Sequence, residues 1–527
     1  MFSGWDTIIV GAGVGGLTAA ARLVKAGQRV LVLEKSPHPG GTAYVFHRKG
    51  FTFPMGPLGF THPVLVGGTL KDLGAWDEPK FFRVHYRVNA FDLEIPLSSD
   101  FSEMKKELAR HFASDAQGVA QFFEDMEAIG SIPPHPGLDT NHLITRRLGE
   151  LSAAEYLDGL VNDRRLRRVL GGLGTREPYS SLPLLAAMWN LMSKEGIWYP
   201  EGGMRSLCGR LVKAVGGQQK DGQLFGLKNE EVDGGIGKIK LGTQVKRIRV
   251  EKDKVLGVTL KDDTQIEADS IISNADYKTT FIKLMDPRTI PSQWYQAIFN
   301  AKQTGSILQV CLGVDSRRAD LSSFQKASRV IYRRDQGAME EEAEPDWDAN
   351  EVNPETLASQ ELELSLWNRD DSTLAPDGAG VIVIRTEAMY SHFARYRSVR
   401  GGRIPAYNEY KIRLGRALIR EAENLIPGLG SATMVEDVAT PITFEEQGGR
   451  SEGAVAGWSW NDEDVRDDRP RELVRTPIKG LYMAGYQAFS ALFMGGVPTA
   501  IESAKRAAEA VLQGIGPVEE MMIPGAK

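Results

Sequence analysis

The chain has 527 residues. That is more than one core of roughly 250–300 residues can hold, so more than one domain is expected. A hydrophobic content of 42% and a charged content of 25% exclude a disordered chain, and a net charge of −6 argues against a nucleic-acid surface. The two cysteines, Cys208 and Cys311, are too few for a disulfide framework or a cysteine metal site, and they suit a reducing compartment.

In chain order, the first element is a short β-branched run, Thr7 to Val10, which reads as a buried parallel strand. Asp6 and the glycines that follow come too early for a secretory signal, so a cytoplasmic location is expected. Gly11-Ala12-Gly13-Val14-Gly15-Gly16 fills a G-x-G-x-x-G pattern through Gly11, Gly13 and Gly16. Leu17, Ala20, Ala21 and Val24 then recur at helical spacing, and Gly27 ends that helix. Arg29 to Leu33 is a second apolar strand closed by Glu34.

Strand, glycine turn, helix, second strand and terminal acid together are the dinucleotide fingerprint. Gly11 makes the tight turn, Gly13 lets a pyrophosphate approach the backbone, and Gly16 lets the helix lie close to the sheet. The helix N-terminus offers free N–H groups to phosphate, and Glu34 can accept from ribose hydroxyls.

Lys35 to Tyr44 is a loop containing Gly40-Gly41-Thr42, followed by a short aromatic strand and the turn Met55-Gly56-Pro57. The segment from Gly40 to Pro63 resembles the one that follows the nucleotide motif in bacterial phytoene desaturases. These form a branch, with carotenoid isomerases and retinol saturases, of the flavin amine oxidase-like FAD-dependent oxidoreductases. The usual pattern there has a basic residue after the glycine pair and an Asp in the following turn; here those places hold Thr42 and Pro54.

From about Phe81 to Met192 the pattern turns helical, with helices expected over Glu103–His111, Gln117–Ile129, Ser152–Leu160 and Arg164–Leu170. An inserted helical domain walling a substrate cavity is what the resemblance implies. The longest uncharged stretch, Pro178 to Ser193, falls short of the roughly 20 apolar residues of a membrane-spanning helix and reads as a core helix, with a greasy surface as the alternative. Tyr199 to Leu207 resembles the P-x-G-G-M-x-x-L segment that returns the chain to the flavin domain, which brings Met204 to the cofactor.

Lys238–Leu241, Val245–Val250, Val255–Leu260 and Thr264–Ala268 read as an antiparallel meander. The resemblance implies that Val245 offers its backbone to the adenine, and that Ser273-Asn274-Ala275-Asp276 closes the nucleotide domain. Ile307–Val314, Val330–Arg333, Leu362–Trp367 and Gly380–Thr386 read as strands of a second sheet. The acidic run Glu340 to Glu344 reads as a solvated loop, and Tyr407–Leu425 as an amphipathic helix.

Thr440-Pro441-Ile442-Thr443 and the glycines after it resemble the family segment at the domain junction. Trp458 and Trp460 could line a cavity or belong to the core. Near the C-terminus, Leu481–Ala484 is a strand, and Thr499 to Glu502 has the form of a capping box opening a helix to about Leu512. Gly496-Val497-Pro498 and Ser503-Ala504-Lys505 resemble the ending G-x-G-I-P-x-x-x-x-S-A-K of the phytoene desaturases; with Gly485 and Tyr486 just before them they are expected at the flavin, whose pyrimidine edge the N-terminus of the last helix can hold.

The expected fold is therefore α/β: a Rossmann-type FAD-binding domain of the glutathione reductase and amine oxidase kind, with a β-meander, and an interleaved α+β substrate domain with a helical insertion. Residues 1–75, 195–290 and 440–527 would form the first, and 76–194 and 291–439 the second. The expected cofactor is FAD without a separate nicotinamide domain, and no metal is expected.

The expected chemistry is desaturation, saturation or isomerisation of an apolar polyene or lipid-like substrate, with a quinone or oxygen as redox partner. The resemblance also implies peripheral contact with the inner face of a membrane, which the Pro178–Met192 stretch would provide. His62 and Tyr486 are the acid–base candidates. Two other readings share the scaffold: a flavin amine oxidase, and a non-catalytic prenyl- or lipid-binding protein of the GDP-dissociation-inhibitor type.

Overall fold

A computed structural model describes residues 4–90, 93–97, 100–130, 151–172, 182–216, 231–233, 235–301, 303–333, 357, 360–455, 471–490 and 495–518. The acidic run, Trp458, Trp460 and the start of the Pro178 stretch lie outside these residues.

The organising unit is β1 (Trp5–Val10), α1 (Val14–Lys25) and β2 (Val30–Leu33). β1 sits between β2 and the strand Gln265–Ser273, and both pairings are parallel. Leu481–Met483 adds to the far side of Gln265–Ser273, again in parallel, so the two ends of the chain share one sheet. Ile8, Ile9, Val32 and Leu17 of this layer are fully buried, as a parallel sheet covered on both faces requires.

The meander differs from the sequence expectation. Gly237–Lys240 is not part of it but pairs in parallel with β2. The meander consists of Val245–Glu251, Lys254–Leu260 and Gln265–Ser273. The last strand serves twice: Gln265 to Glu267 pair within the meander, and Ala268 to Ser273 pair with β1. The strand expected over Thr264–Ala268 thus continues to Ser273.

The second sheet has seven strands, ordered Thr433–Ala439, Ser306–Asp315, Ala379–Ala388, Leu362–Leu366, Arg329–Arg333, Tyr86–Ala90 and Leu93–Leu97. Alternation along the strands divides it into two faces. Leu308, Val310, Leu312, Ile382 and Ile384 pack with Tyr410, Leu414 and Leu418 of the helix Ala406–Ala422. Cys311, Ile331, Val381 and Val383 face the other way and join the core of the first sheet.

The expected helices of the insertion are present as Phe101–His111, Ala116–Gly130, Ala153–Leu160 and Arg164–Gly171. Leu182–Trp189 is a core helix. Its Trp189 is fully buried, meets Phe122 and Phe123 edge-on at 5.6 and 5.3 Å, and donates from Nε1 to the Leu170 carbonyl at 2.9 Å. Of the described stretch expected to touch a membrane, Leu182, Leu185, Ala186, Ala187, Trp189 and Leu191 are buried and Met188 and Met192 half-buried, and among the described residues no helix is long and apolar enough to cross a membrane.

Candidate active site and cofactor cavity

Gly11 adopts φ +99°, which L side chains rarely tolerate, and turns the chain from β1 toward α1. α1 begins after Gly13 with no side-chain cap and no acid in its first turn. Its first N–H groups are therefore unclaimed by side chains and lie beside a cavity lined by Gly13, Val14 and Gly15. A Cβ on Gly16 would stand 2.1 Å from the Gly11 carbonyl oxygen, so glycine there keeps the helix against the turn. Ala12 is buried; its N–H donates to Glu34 Oε2 at 2.7 Å, and its carbonyl accepts from Gly40 N at 2.8 Å. Glu34 Oε1 accepts from Ser36 N at 2.8 Å, so the carboxylate is fastened by two backbone donors at the cavity wall.

The C-terminal segment closes on the same place. Asn274 N donates to the Val10 carbonyl at 2.8 Å. Its side chain fills the space between the two ends of the chain: Cβ atoms built on Gly13 and Gly15 would fall 2.7 and 2.6 Å from it, and the Gly15 Cβ would also fall 2.7 Å from Gly485 N. Gly485 N in turn donates to Ser503 Oγ at 2.9 Å.

The last helix runs Gly496–Leu512 after Gly495 at φ +69°, and it too lacks a side-chain cap. This corrects the expected capping box. Gly495 reaches a conformation that lets the helix start at Gly496, so Thr499 lies inside it and its hydroxyl donates back to the Gly495 carbonyl at 2.5 Å. Two uncapped helix N-termini thus open on one cavity of about 980 Å³, near the upper end of the usual range for ligand sites.

The structure places Gly11, Gly13, Val14, Gly15, Glu34, Lys35, Gly40, Gly41, Thr42, Gly56, Pro57, Val245, Asn274, Gly485, Tyr486, Gly496 and Val497 on the wall of this cavity. Ala12, Gly16, Met204 and Pro498 stand behind it as support, and Met204 and Pro498 are buried in the first turns of their helices. His62 is not on the wall. It precedes the helix Pro63–Asp72 at φ +53°, with Nδ1 3.0 Å from Thr61 Oγ1 and Nε2 3.9 Å from Glu195. Burial lowers its pKa, with Glu195 opposing. Tyr486 does line the cavity; burial raises its pKa, with Arg450 opposing, so it stays protonated at neutral pH.

Of the cations on the cavity wall, Lys283, Arg385, Arg397 and Arg450 have no counterpart in the sequence expectations, and two of them are braced where they meet the predicted residues Thr42 and Gly56. Arg450 donates from Nη2 to Thr42 Oγ1 at 3.0 Å and from Nη1 to the Val455 carbonyl at 2.6 Å. It brings a guanidinium to the position where the resembling family carries a basic residue, from far along the chain. Arg385 enters from the second sheet, donating from Nε to Gln309 Oε1 at 2.7 Å and from Nη2 to the Gly56 carbonyl. Neither could be found by spacing. The available signal was the missing basic residue at 42.

Among the described residues no group of His, Cys, Asp or Glu could hold a metal ion. The two uncapped helix ends, the buried Glu34 and the volume of the cavity suit a dinucleotide carrying phosphates and a ring.

Comparison with known proteins agrees. The family model for flavin containing amine oxidoreductases matches residues 14–372, more than half of the chain. The chain belongs to this family. As a flavin containing amine oxidoreductase, it is an FAD-dependent oxidoreductase. It is similar to a zeta-carotene-forming phytoene desaturase of Myxococcus xanthus, at 26% identity over 96% of this chain and 93% of that one. It is also similar to a chloroplastic prolycopene isomerase of Daucus carota, at 26% identity over 92% of this chain and 77% of that one. These relatives lie in the carotenoid desaturase-like branch to which the glycine-pair segment and the C-terminal segment pointed. In fold, it resembles the cyclohexylamine oxidase of Brevibacterium oxydans, with a TM-score of 0.61 at 15% identity, covering 97% of this chain and 99% of that one.

Proposed function

We propose that this flavin containing amine oxidoreductase acts on a C–C or C=C bond of an apolar polyene or lipid-like substrate, by desaturation, saturation or isomerisation. The observation that carries the reading is the single cavity walled both by the two helix N-termini and by residues of the second sheet. The names of its similar proteins support the substrate class. Residues 1–75, 195–290 and 440–527 hold FAD in this reading, and 76–194 and 291–439 hold the substrate.

When bound, FAD supplies the two-electron exchange. The chain's own residues do the rest. The N–H groups after Gly13 bind the diphosphate. Glu34 accepts from ribose hydroxyls, and Val245 and Asn274 flank the nucleotide. The N-terminus at Gly496-Val497 faces the electron-rich edge of the ring. Allylic exchange needs positioning more than a strong base. Tyr486, protonated and on the wall, is favoured as the group that holds a proton over His62, which is not among the residues lining the cavity. Desaturation would pass two electrons on to a quinone or oxygen, saturation would draw two from a reduced partner such as a quinol, and isomerisation would leave no net electrons to balance.

The test is anaerobic mixing of the oxidised and the reduced holoenzyme with a panel of polyenes and a panel of amines, followed by flavin absorbance. Bleaching or recovery with polyenes is expected. Bleaching by amines alone, or neither a flavin change nor an isomerised polyene on chromatography of the polyene mixtures, would refute the reading.

A further inference from the structure

The second sheet presents an unexpected row to the cavity side. Gln309, Arg385 and Glu363 are directly opposite one another on three neighbouring strands. A cross-strand carboxylate is the natural partner for a guanidinium, yet Glu363 does not take it. Glu363 Oε1 accepts from the Tyr86 hydroxyl at 3.0 Å and stands 3.8 Å from Arg329, which donates to the same hydroxyl at 2.8 Å.

Arg385 turns instead to two neutral acceptors, the Gln309 amide oxygen and the Gly56 carbonyl. Gln309 is itself held, donating from Nε2 to the Pro54 carbonyl at 3.0 Å. Among the described residues no carboxylate lies within ion-pair distance of Arg385. The result is a guanidinium oriented by a braced amide, half-buried at the wall of the cavity, with neutral acceptors for its hydrogen bonds and Glu363 acting on it only from beyond ion-pair distance.

Such a charge is costly to bury unless a ligand completes its shell. Of the other cations on the wall, Arg397 pairs with Glu445 and Glu446, and Arg450 has its place beside Thr42, next to Gly41, whose Cβ would fall 3.3 Å from the Gly13 Cα. Arg385 comes from the second sheet, on the strand Ala379–Ala388, and reaches the cavity at Gly56. A guanidinium is planar and presents paired donors, a shape that matches a carboxylate or carbonyl oxygen. A pure hydrocarbon would leave it unsatisfied.

We propose that Arg385 binds an oxygen of the substrate, and that the substrate is an oxygenated apolar chain, a carboxylate or conjugated carbonyl compound, rather than a hydrocarbon. This rests on the polyene or lipid reading above and narrows it. Gln309 is the positioning residue that aims the guanidinium.

The test uses the oxidised holoenzyme under anaerobic conditions and three probes: geranylgeranoic acid, geranylgeranial and squalene, each delivered in the same neutral detergent. Affinity is read from perturbation of the flavin absorbance band. At least one oxygenated probe is expected to bind tenfold or more tighter than squalene. The acid leading would identify a carboxylate, and equal binding of acid and aldehyde a carbonyl.

Arg385→Met is expected to erase that ratio with FAD content unchanged, and Arg385→Lys to keep part of it. Squalene binding as tightly as the oxygenated probes would overturn the proposal, and so would a preference that survives Arg385→Met. A changed flavin spectrum with an unchanged preference would assign the cation to the cofactor and overturn it as well. Should Arg385→Met not accumulate, the wild-type ratio and Arg385→Lys decide the matter. Binding of none of the three probes would refute the underlying polyene or lipid reading.

Discussion

Replacing Gly15 by Ala tests how closely the two ends of the chain must meet. Gly15 is one of the variable positions of the glycine pattern, so the motif alone does not demand glycine there. The geometry does: a Cβ would lie 2.6 Å from Asn274 Oδ1, and 2.7 and 2.8 Å from the N and Cα of Gly485. Asn274 can swing aside, but the Gly485 backbone cannot, because Ser503 Oγ holds its N–H.

Carbon atoms pack at about 3.5–4.0 Å, so the C-terminal segment must retreat by roughly 0.7 Å or more. Overpacking of this kind costs about 1–3 kcal/mol. Ala recovers about 1 kcal/mol of helix propensity. With backbone against backbone the steric cost falls at the upper end, leaving about 2 kcal/mol, or roughly a thirtyfold loss of FAD affinity. The assay is FAD titration of the apoprotein by fluorescence quenching, with Gly159→Ala as control. Gly159 lies in the helix Ala153–Leu160 with nothing within 4 Å of its Cβ, so Ala there should stabilise slightly and leave FAD binding alone. Unchanged FAD affinity in Gly15→Ala would refute the reasoning.

Glu34→Ala leaves the Ala12 and Ser36 N–H groups without an acceptor, at about 1–3 kcal/mol for each buried donor. FAD affinity should fall tenfold or more in the same titration. Trp189→Ala should lower unfolding free energy by about 3–5 kcal/mol in urea melts, without changing vesicle sedimentation, because Trp189 is a core side chain. Burial holds His38, His47 and His62 below the ordinary value of 6.5. The unfolded chain then binds more protons near that pH than the folded one, so stability present above it is lost as pH falls through it. Tm should be lower at about pH 5.5 than at about pH 7.5, and His62→Gln should narrow the gap.

The nucleotide-binding unit was legible because its signals agree at every level: a β-branched strand, a glycine turn, helical spacing and a terminal acid all point to one structure. The C-terminal helix was legible too, but not its first residue. Thr499 carries the letters of a cap, and only the backbone of Gly495 reveals that the helix has already begun. Gly237–Lys240 looks like a meander strand in the sequence because a four-residue strand does not announce a partner, and β2 lies some two hundred residues earlier. The strands Tyr86–Ala90 and Leu93–Leu97 were passed over in a region whose helices dominate the pattern. Arg385 and Arg450 belong to no motif. They reach the cavity through strand register and loop geometry, which connect Arg450 to Thr42 across 408 positions of sequence.

The central claim is that both termini close on one FAD, and amide hydrogen exchange of the apoprotein and the FAD-loaded protein tests it most directly. The uncapped N–H groups after Gly13 and after Gly495 should exchange freely without cofactor and slow together when it binds. Protection confined to one of the two helix starts would contradict the account.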